Sequence, residues 1–518
     1  MKKTLVPALL VLPLLVAGCS KKGSEKTPFA VPIVDVDKLV INLPTMPTLP
    51  TDSVKTVGEY DYIDLYELSD MHAMIDRHAD TDSEKAYFGF DGLANFIKAK
   101  RQDNPGTLLL SSGDMWQGGA ESNLTQGKIV AESMRYCGFE AMTLGNHEFD
   151  WGKSILSRNS AYFKNDMPLL CGNLKYKEGG QRPDFVVPSK VVTRGAYKVG
   201  VIGTIGSTIE DSIAKSVFNE FELSSSYTFA QTEAARLKSE EHCNVVVWCS
   251  HEDTETVSVP NGVDVFFGGH EHKDVNTTKS NGSSIPAPAM ATRNYSKDIA
   301  HVELKFNHSS NELVSATGEL INASDSAAYL VEESNIKSIF DQYRIETDKA
   351  KQYQLSNVSG KFVANAELAN LSTKAMFEEY KDENTICAFQ NGSGGVRSDI
   401  EAGMVTYGSV YQAFPFDNEI VKFEIKGSDI PRLFEEKARN LNVYCTAKKF
   451  SEYDSSKTYN IVTTDFVCTN YLKYEESQFT RFAGTVIRDC VAKFIYNNSG
   501  LDAKNFSSAL SDFTRPRY

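Results

Sequence analysis

The cysteines of this sequence lack the spacing of a metal or redox motif. Nine cysteines occur in 518 residues, and no Cys-x-x-Cys pair is present, which argues against zinc ribbons and thioredoxin-type sites. The cysteines that follow Cys19 are Cys137, Cys171, Cys243, Cys249, Cys387, Cys445, Cys468 and Cys490. An exported compartment would permit disulfides among them, and the sequence leaves open whether they pair or remain core thiols.

Basic residues are fewer than acidic ones. The chain carries 54 Lys and Arg against 68 Asp and Glu, a formal net charge of −14. A general nucleic-acid binder needs many cations to displace the counterions of phosphates, so a nucleic-acid polymer is excluded as the expected partner. A small anionic substrate remains compatible, because a metal pair in a cleft outweighs the global field locally.

One apolar run stands out, and it is too short to cross a bilayer comfortably. Lys2 and Lys3 precede the apolar stretch Leu5 to Ala17, and Gly18-Cys19 follow it. The ending resembles a bacterial lipobox, which predicts a signal peptide over residues 1–19 and a lipid anchor on Cys19. The alternatives are a short membrane anchor or an ordinary secretory signal whose cysteine is incidental. We expect an exported, membrane-anchored protein, in the periplasm or at the cell surface.

The length and the sequence pattern predict two unequal domains. Residues 20–58 are rich in Lys, Pro and Thr and read as a flexible tether. Strand-like and helical stretches then alternate over residues 59–323, which favours a layered α/β domain. Residues 324–354 have apolar side chains at helical spacing and predict a linker helix. A smaller α/β domain is expected over residues 355–518.

Polar clusters follow five strand-like runs in the first domain, where open α/β sheets place their ligand sites. Five of the nine histidines lie in these clusters. The predicted metal ligands in them are Asp70, His72, Asp114, Asn146, His251, His270 and His272. Imidazole and carboxylate without thiolate suit two divalent ions, with Zn, Mn, Fe and Co left open. Any one cluster alone could be a surface turn or a tight strand exit, but five such accidents in order are improbable.

The five clusters together resemble the motifs of the calcineurin-like metallophosphoesterases, and within them the 5′-nucleotidase family, over residues 60 to 275. The resemblance implies an N-terminal four-layered α/β/β/α domain followed by a smaller α/β C-terminal domain. It assigns Asp70, His72, Asp114 and His272 to one metal, and Asp114, Asn146, His251 and His270 to the other. His147 and Asp150 become a catalytic pair. The implied mechanism is two-metal hydrolysis with an activated water.

The resemblance is weaker in the second domain, where it implies the substrate site. The segment from Asn391 through Gly394 and Gly395 to Arg397 is similar to the family's phosphate-binding loop, but Asn391 stands one residue farther from the Arg than in the family. Phe416 and Phe466 resemble the two rings that sandwich a nucleobase. The alternatives are a plain Gly/Ser loop with a surface Arg, and two core aromatics.

Two features of the family are missing. The Gly-Gly-Asp segment that carries a ribose-binding carboxylate is replaced by Thr469-Asn470-Tyr471-Leu472, and Phe362-Val363-Ala364-Asn365 stands where relatives supply another Arg. We expect an exported 5′-nucleotidase that takes a small nucleotide or other phosphoester. The alternatives are a 2′,3′-cyclic-nucleotide phosphodiesterase, a nucleotide-sugar hydrolase or a broad phosphomonoesterase. From another class, a non-catalytic surface binding lipoprotein would have lost metal ligands or His147, and this chain retains them.

Overall fold

Two β-sheets form the middle of the first domain. The computed structural model describes residues 28–45, 48, 52–163 and 167–517, and residues Pro32–Tyr518 form one compact unit. One sheet has the strand order Leu313–Asn322, Asp298–Asn307, Tyr60–Glu67, Leu108–Ser111, Ala141–Thr143 and Leu169–Leu170, with Lys55–Val57 paired to Tyr60–Glu67. The other has the order Val275–Lys279, Ala287–Ala291, Val265–Phe267, Val245–His251, Tyr197–Ile205 and Ser189–Arg194.

The two sheets pack face to face because their strands carry apolar side chains on both faces. Leu65 and Leu110 of one sheet share a fully buried core with Val201 and Val247 of the other. The opposite faces are buried under helices: Tyr66, for example, packs in the core formed with the helices Gly89–Asp103 and Lys128–Cys137. The helix Ser226–Ser239 covers the outer face of the second sheet. The predicted α/β/β/α layering is confirmed.

The strands at the middle of both sheets are parallel, which aligns their carboxyl ends. Tyr60–Glu67, Leu108–Ser111 and Ala141–Thr143 run parallel in the first sheet. Tyr197–Ile205, Val245–His251 and Val265–Phe267 do so in the second. The loops that leave these strands therefore emerge at one edge of the layered domain. The remaining helices of this domain are Ala120–Leu124, Gly152–Phe163 and Lys215–Phe218.

The second domain is built on a mixed five-stranded sheet with the order Asn442–Cys445, Thr385–Gln390, Thr458–Thr464, Glu419–Lys426 and Phe479–Val486. A smaller sheet joins Gly403–Thr406, Gln354–Ser359 and Leu501–Asp502. The α-helices are Ala369–Tyr380, Tyr407–Ala413, Ile430–Arg432 and Ile487–Asn497, with a short irregular helical turn over Gly392–Gly395, and π-helical turns cover Ala364–Leu368, Leu433–Lys437 and Val467–Tyr471. This agrees with the predicted smaller α/β domain.

A helix over Ser334–Lys351 lies within the segment predicted to link the domains. It begins at Glu333, whose carboxylate accepts hydrogen bonds from the backbone N–H groups of Asn335 and Ile336. Its buried face contains Ile336, Ile339, Phe340 and Tyr343, which pack in the core of the first domain. The Tyr343 hydroxyl also donates to Glu132 at 2.6 Å. The helix is therefore part of the first domain's packing as well as a connection.

The segment predicted as a flexible tether departs in part from that prediction. Leu39 and Ile41 pack against the core of the first domain. The Asn42 backbone N–H donates to the Gln342 side chain at 2.7 Å, and Gln342 donates back to the Asn42 carbonyl at 3.1 Å. Apolar contacts and a paired amide thus hold residues 39–42 against the first domain, within a segment whose composition suggests disorder. The predicted signal peptide and the lipidation residue Cys19 lie outside the described residues. Within the described ranges, no helix combines the length and apolarity that a membrane crossing requires.

Candidate metal centre

The loops that leave the parallel strands bring all seven predicted metal ligands together at the edge of the first domain. Backbone conformation is unusual there, because five of the seven ligands have a positive φ: Asp70 (51°), His72 (45°), Asp114 (54°), His270 (79°) and His272 (56°). Left-handed backbone is costly for residues other than glycine and concentrates at functional sites. The strained loops thus turn consecutive side chains toward a common centre.

Asp70, His72 and His272 form the first group of donor atoms. The His72 Nε2 lies 3.0 Å from the His272 Nε2, and the His272 Nε2 lies 3.5 Å from a carboxylate oxygen of Asp70. The His72 Nδ1 is 3.2 Å from the carbonyl oxygen of Gln117, which can accept a hydrogen bond from a protonated Nδ1. In that tautomer Nε2 keeps a free lone pair for a metal. Burial lowers the pKa of His72 well below its usual range, so the imidazole is neutral, the form that binds metals.

Asn146, His251 and His270 form the second group. The Asn146 Oδ1 lies 3.1 Å from the His251 Nε2 and 3.0 Å from the His270 Nδ1. The His251 Nδ1 is 2.8 Å from the Ser112 carbonyl, which orients the ring. Burial, together with the charge of His251, lowers the pKa of His270 to about 4 and keeps that imidazole neutral.

Asp114 belongs to both groups. One of its carboxylate oxygens is 3.3 Å from the His251 Nε2 and 3.9 Å from the His72 Nε2. Burial alone would raise the pKa of Asp114, but the neighbouring histidines, His251 first, hold it well below its ordinary value. A fully buried carboxylate needs compensating positive charge, and this position between two clusters of nitrogen and oxygen donors suits a ligand shared by two cations.

His251 provides an electrostatic test of whether the cluster fits a metal. Burial would lower its pKa, yet Asp114 and Asp70 raise it to about 10, so that a buried proton supplies the positive charge. Metal-binding imidazole is neutral, and a cation bound there would take the place of that proton. The buried carboxylates, the neutral imidazoles of His72 and His270, and the absence of thiolate from the three clusters of donors that the described residues form all fit a divalent metal.

His147 and Asp150 lie beside these groups, and they are paired as predicted from the resemblance. The His147 Nδ1 donates to Asp150 at 3.0 Å, and the His147 backbone N–H donates to Asp114 at 2.9 Å. Burial would lower the pKa of His147, but the charges of Asp150 and Asp114 outweigh it and raise that pKa. Its Nε2 is thus held in a defined orientation as a proton or hydrogen-bond donor.

A cavity of about 360 Å³ adjoins the metal centre and brings most predicted substrate residues together. Asn391, Gly394, Arg397, Phe416 and Phe466 all line it, as do Asn146, His147, Asp150 and His270 from the first domain. The predicted residue Gly395 does not line it. A side chain at Gly395 would collide with Asn391, so this glycine permits close packing under the loop.

The segment from Asn391 to Arg397 contains a buried polar atom with unused hydrogen-bonding capacity. The Asn391 Oδ1 is buried and has no hydrogen-bond partner among the described residues. The Arg397 guanidinium lies over the Phe416 ring at 5.7 Å. Phe416 also stacks with His147, whose ring centroid is 5.3 Å away at an interplanar angle of 23°. Phe416 is therefore in contact with both the imidazole of His147 and the guanidinium of Arg397.

Glu148 is a residue that the sequence interpretation missed. Its buried carboxylate accepts backbone hydrogen bonds from Gly145 (2.7 Å), Asp114 (2.9 Å), Met115 (2.9 Å) and Trp116 (3.2 Å). It thereby joins the loop of Asp114 to the loop of Asn146. The only signal in the sequence was an acidic residue directly after His147. Asp211, Ser212, Asn418, Asn470, Tyr471 and Lys473 also line the cavity and were not predicted as site residues.

Two protein-family models match this chain, one in each domain. The calcineurin-like phosphoesterase model matches residues 65–274, and the model of the 5′-nucleotidase C-terminal domain matches residues 346–453. The bovine 5′-nucleotidase is 24% identical over 411 residues, which cover 71% of this chain and 70% of the relative. Endonuclease YhcR of Bacillus subtilis is 26% identical over 405 residues, 71% of this chain but only 32% of that protein.

The fold has a counterpart among solved structures. The 5′-nucleotidase precursor from Thermus thermophilus superposes with a TM-score of 0.68 at 21% sequence identity, covering 84% of this chain and 96% of that one. At this identity the likeness establishes a common fold with two domains.

Glu148→Gln tests whether the buried carboxylate positions the metal ligands. The amide offers one oxygen where the carboxylate offers two, so two of the four backbone N–H groups lose their acceptor. We expect metal affinity to fall by about 10- to 100-fold, the usual effect of removing a group that orients ligands. Titration of the metal-free protein with Mn²⁺ measures this. The control is Glu271→Gln, an exposed carboxylate between His270 and His272. Equal affinity of the Glu148 variant and the control would contradict the role.

Proposed function

We propose that this chain, which belongs to the calcineurin-like phosphoesterases with a 5′-nucleotidase C-terminal domain, a family of metal-dependent hydrolases, is an exported 5′-nucleotidase. One observation carries the proposal. A single cavity is lined by the His147/Asp150 pair and the proposed metal ligands Asn146 and His270, and also by Arg397, Phe416 and Phe466. Phosphate chemistry and aromatic base binding therefore meet within the reach of one nucleotide.

In the proposed complex, the phosphate lies against the metal centre. Asp70, His72, Asp114 and His272 would hold one divalent ion, and Asp114, Asn146, His251 and His270 the other. Such ions supply a nucleophilic water of lowered pKa and polarise the phosphoryl oxygens. Arg397 binds the phosphate oxygens through its planar guanidinium, helped by the backbone of the Gly394 turn, where φ is +81°.

His147 acts on the oxygens of the reacting phosphate. Asp150 holds its Nδ1 proton, so that Nε2 is the atom that faces the substrate. The raised pKa of His147 increases the protonated fraction near neutral pH, which favours donation of a hydrogen bond to a phosphoryl oxygen or of a proton to the leaving oxygen. Phe416 and Phe466 stack on the base, an interaction that tolerates different bases.

A phosphohydrolase with little selectivity for ribose is the second candidate, and one observation favours it. Asn470 stands in the segment that replaces the ribose-binding carboxylate, but its Oδ1 accepts from Thr469 and its Nδ2 donates to the Asp211 carbonyl. Its amide is therefore committed to contacts within the protein.

Phosphate release from AMP tests the proposed function. We expect the purified protein to release phosphate from AMP faster than from UDP-glucose or 2′,3′-cyclic AMP. EDTA should abolish this release, because the acidic and imidazole ligands lose the ions, and added Mn²⁺ or Zn²⁺ should restore it. Faster hydrolysis of another substrate in the panel would favour an alternative substrate class. If no nucleotide were hydrolysed with any of the metals, the proposal would be wrong.

His147→Asn separates the chemistry from metal binding in the same assay. This variant keeps the backbone N–H that donates to Asp114 but loses the imidazole. We expect kcat to fall by about 10²- to 10⁴-fold with metal content unchanged. His78→Asn, an exposed histidine outside the site, is the matched control. Full turnover by the His147 variant would contradict the role assigned to it.

Export and lipid anchoring rest on the sequence around Cys19. We expect cells that produce the protein to incorporate labelled palmitate into it, and a Cys19→Ala variant to lose both the label and the membrane association. A wild-type protein that is secreted without the label would show an ordinary secretory signal instead.

A further inference from the structure

Two Asp–Arg pairs flank the aromatic rings of the cavity. Asp417 follows Phe416 directly, and Asp465 precedes Phe466 directly. Their partners, Arg488 and Arg481, come from one short stretch of chain, the strand Phe479–Val486 and the first turn of the helix Ile487–Asn497. Neither arginine lines the cavity.

Arg488 forms hydrogen bonds to the chain both before and after Phe416. Its Nη2 donates to Asp417 at 2.6 Å, and its Nη1 donates to the Phe414 carbonyl at 3.4 Å. The guanidinium lies 3.7 Å above the ring of Tyr411, and the arginine side chain is only 6% exposed. A planar, buried fork with contacts in three directions restrains the chain more tightly than a surface ion pair does.

Arg481 acts on the Phe466 segment through one carboxylate. Its Nη1 donates to the Oδ2 of Asp465 at 2.8 Å, and the Oδ1 of Asp465 accepts the backbone N–H of Phe466 at 2.8 Å. Asp465 is buried, whereas Arg481 also binds Glu419 and Glu476 at the protein surface. The Asp465 carboxylate thus links the guanidinium of Arg481 directly to the backbone of Phe466.

We propose that Arg481 and Arg488 are positioning residues that set the two aromatic rings for base stacking, through Asp465 and Asp417. The inference rests on the proposed function, because it assigns the two rings to a nucleobase. Its consequence is selective. Loss of either arginine weakens recognition of the base and leaves the phosphate chemistry at Arg397, His147 and the metal ligands intact.

The matched substrates AMP and ribose 5-phosphate test the inference, because they differ by the base alone. The quantity to measure is the ratio of kcat/KM for AMP to kcat/KM for ribose 5-phosphate. We expect Arg488→Met and Arg481→Met each to reduce this ratio by about ten-fold, the size of one base–aromatic contact. The loss should lie in a higher KM for AMP, with kcat for AMP and both constants for ribose 5-phosphate unchanged.

Further variants protect the test against misfolding and general destabilisation. Asp417→Asn and Asp465→Asn break the same links from the carboxylate side, and Arg481→Lys, which can still pair with Asp465, should recover part of the ratio. Lys422 lies in the same sheet as Arg481 and is similarly exposed, and it forms an ion pair with Asp382 at 2.6 Å. Lys422→Met removes this ion pair and should leave the ratio at the wild-type value. Thermal unfolding of every variant checks that the domain is folded.

The outcomes separate this inference from the proposed function. If the wild-type protein prefers AMP and all the arginine and aspartate variants keep that preference, the inference is wrong and the nucleotidase assignment stands. An equal fall of kcat/KM for both substrates in every folded variant also overturns the inference, since the role of the arginines would then be structural. A wild-type protein that hydrolyses ribose 5-phosphate as efficiently as AMP overturns the base pocket itself, and the inference fails with it.

Discussion

The buried carboxylate of Asp114 is the constraint on which the arrangement of the site depends. It lies where the strand ends of two packed sheets meet, with the donor groups of Asp70 and His72 on one side and those of His251 and His270 on the other. An uncompensated charge at such a depth would be strongly destabilising. The surrounding histidines, the left-handed loop backbones and the carboxylate of Glu148 all serve to hold this charge and the groups around it in place.

His147 joins the metal-ligand cluster of the first domain to the aromatic residues of the second domain. Its backbone N–H is bonded to Asp114, its side chain to Asp150, and its ring stacks on Phe416 of the second domain. The two domains therefore share one cavity, in which the proposed catalytic group His147 contacts the proposed base-stacking ring Phe416. In the proposed role, Arg481 and Arg488 act from outside the cavity, because they bond to Asp465 and Asp417 beside the aromatic residues and do not line the cavity themselves.

The clustering of the seven proposed metal ligands could be predicted because strand ends are readable from sequence and five of nine histidines lie there. The layered α/β fold could be predicted because strand-like and helical stretches alternate along the first domain. Other features depend on contacts that sequence does not mark. Glu148 acts on backbone N–H groups, the arginine pairs join residues 16 and 71 positions apart, and Gly395 packs under its loop instead of lining the cavity. The docking of Leu39 and Ile41 overrides a composition that favours disorder.

The metal content of Asp114→Asn tests the central claim most directly. After metal loading and dialysis, elemental analysis of the wild-type protein should find two divalent ions per chain. The variant should hold fewer than one, because both ions lose a ligand and the charge that they share. Asp150→Asn, an equal change of charge at a residue outside the ligand set, should keep two. A wild-type protein with a single ion, or an Asp114 variant that still holds two, would contradict the shared carboxylate.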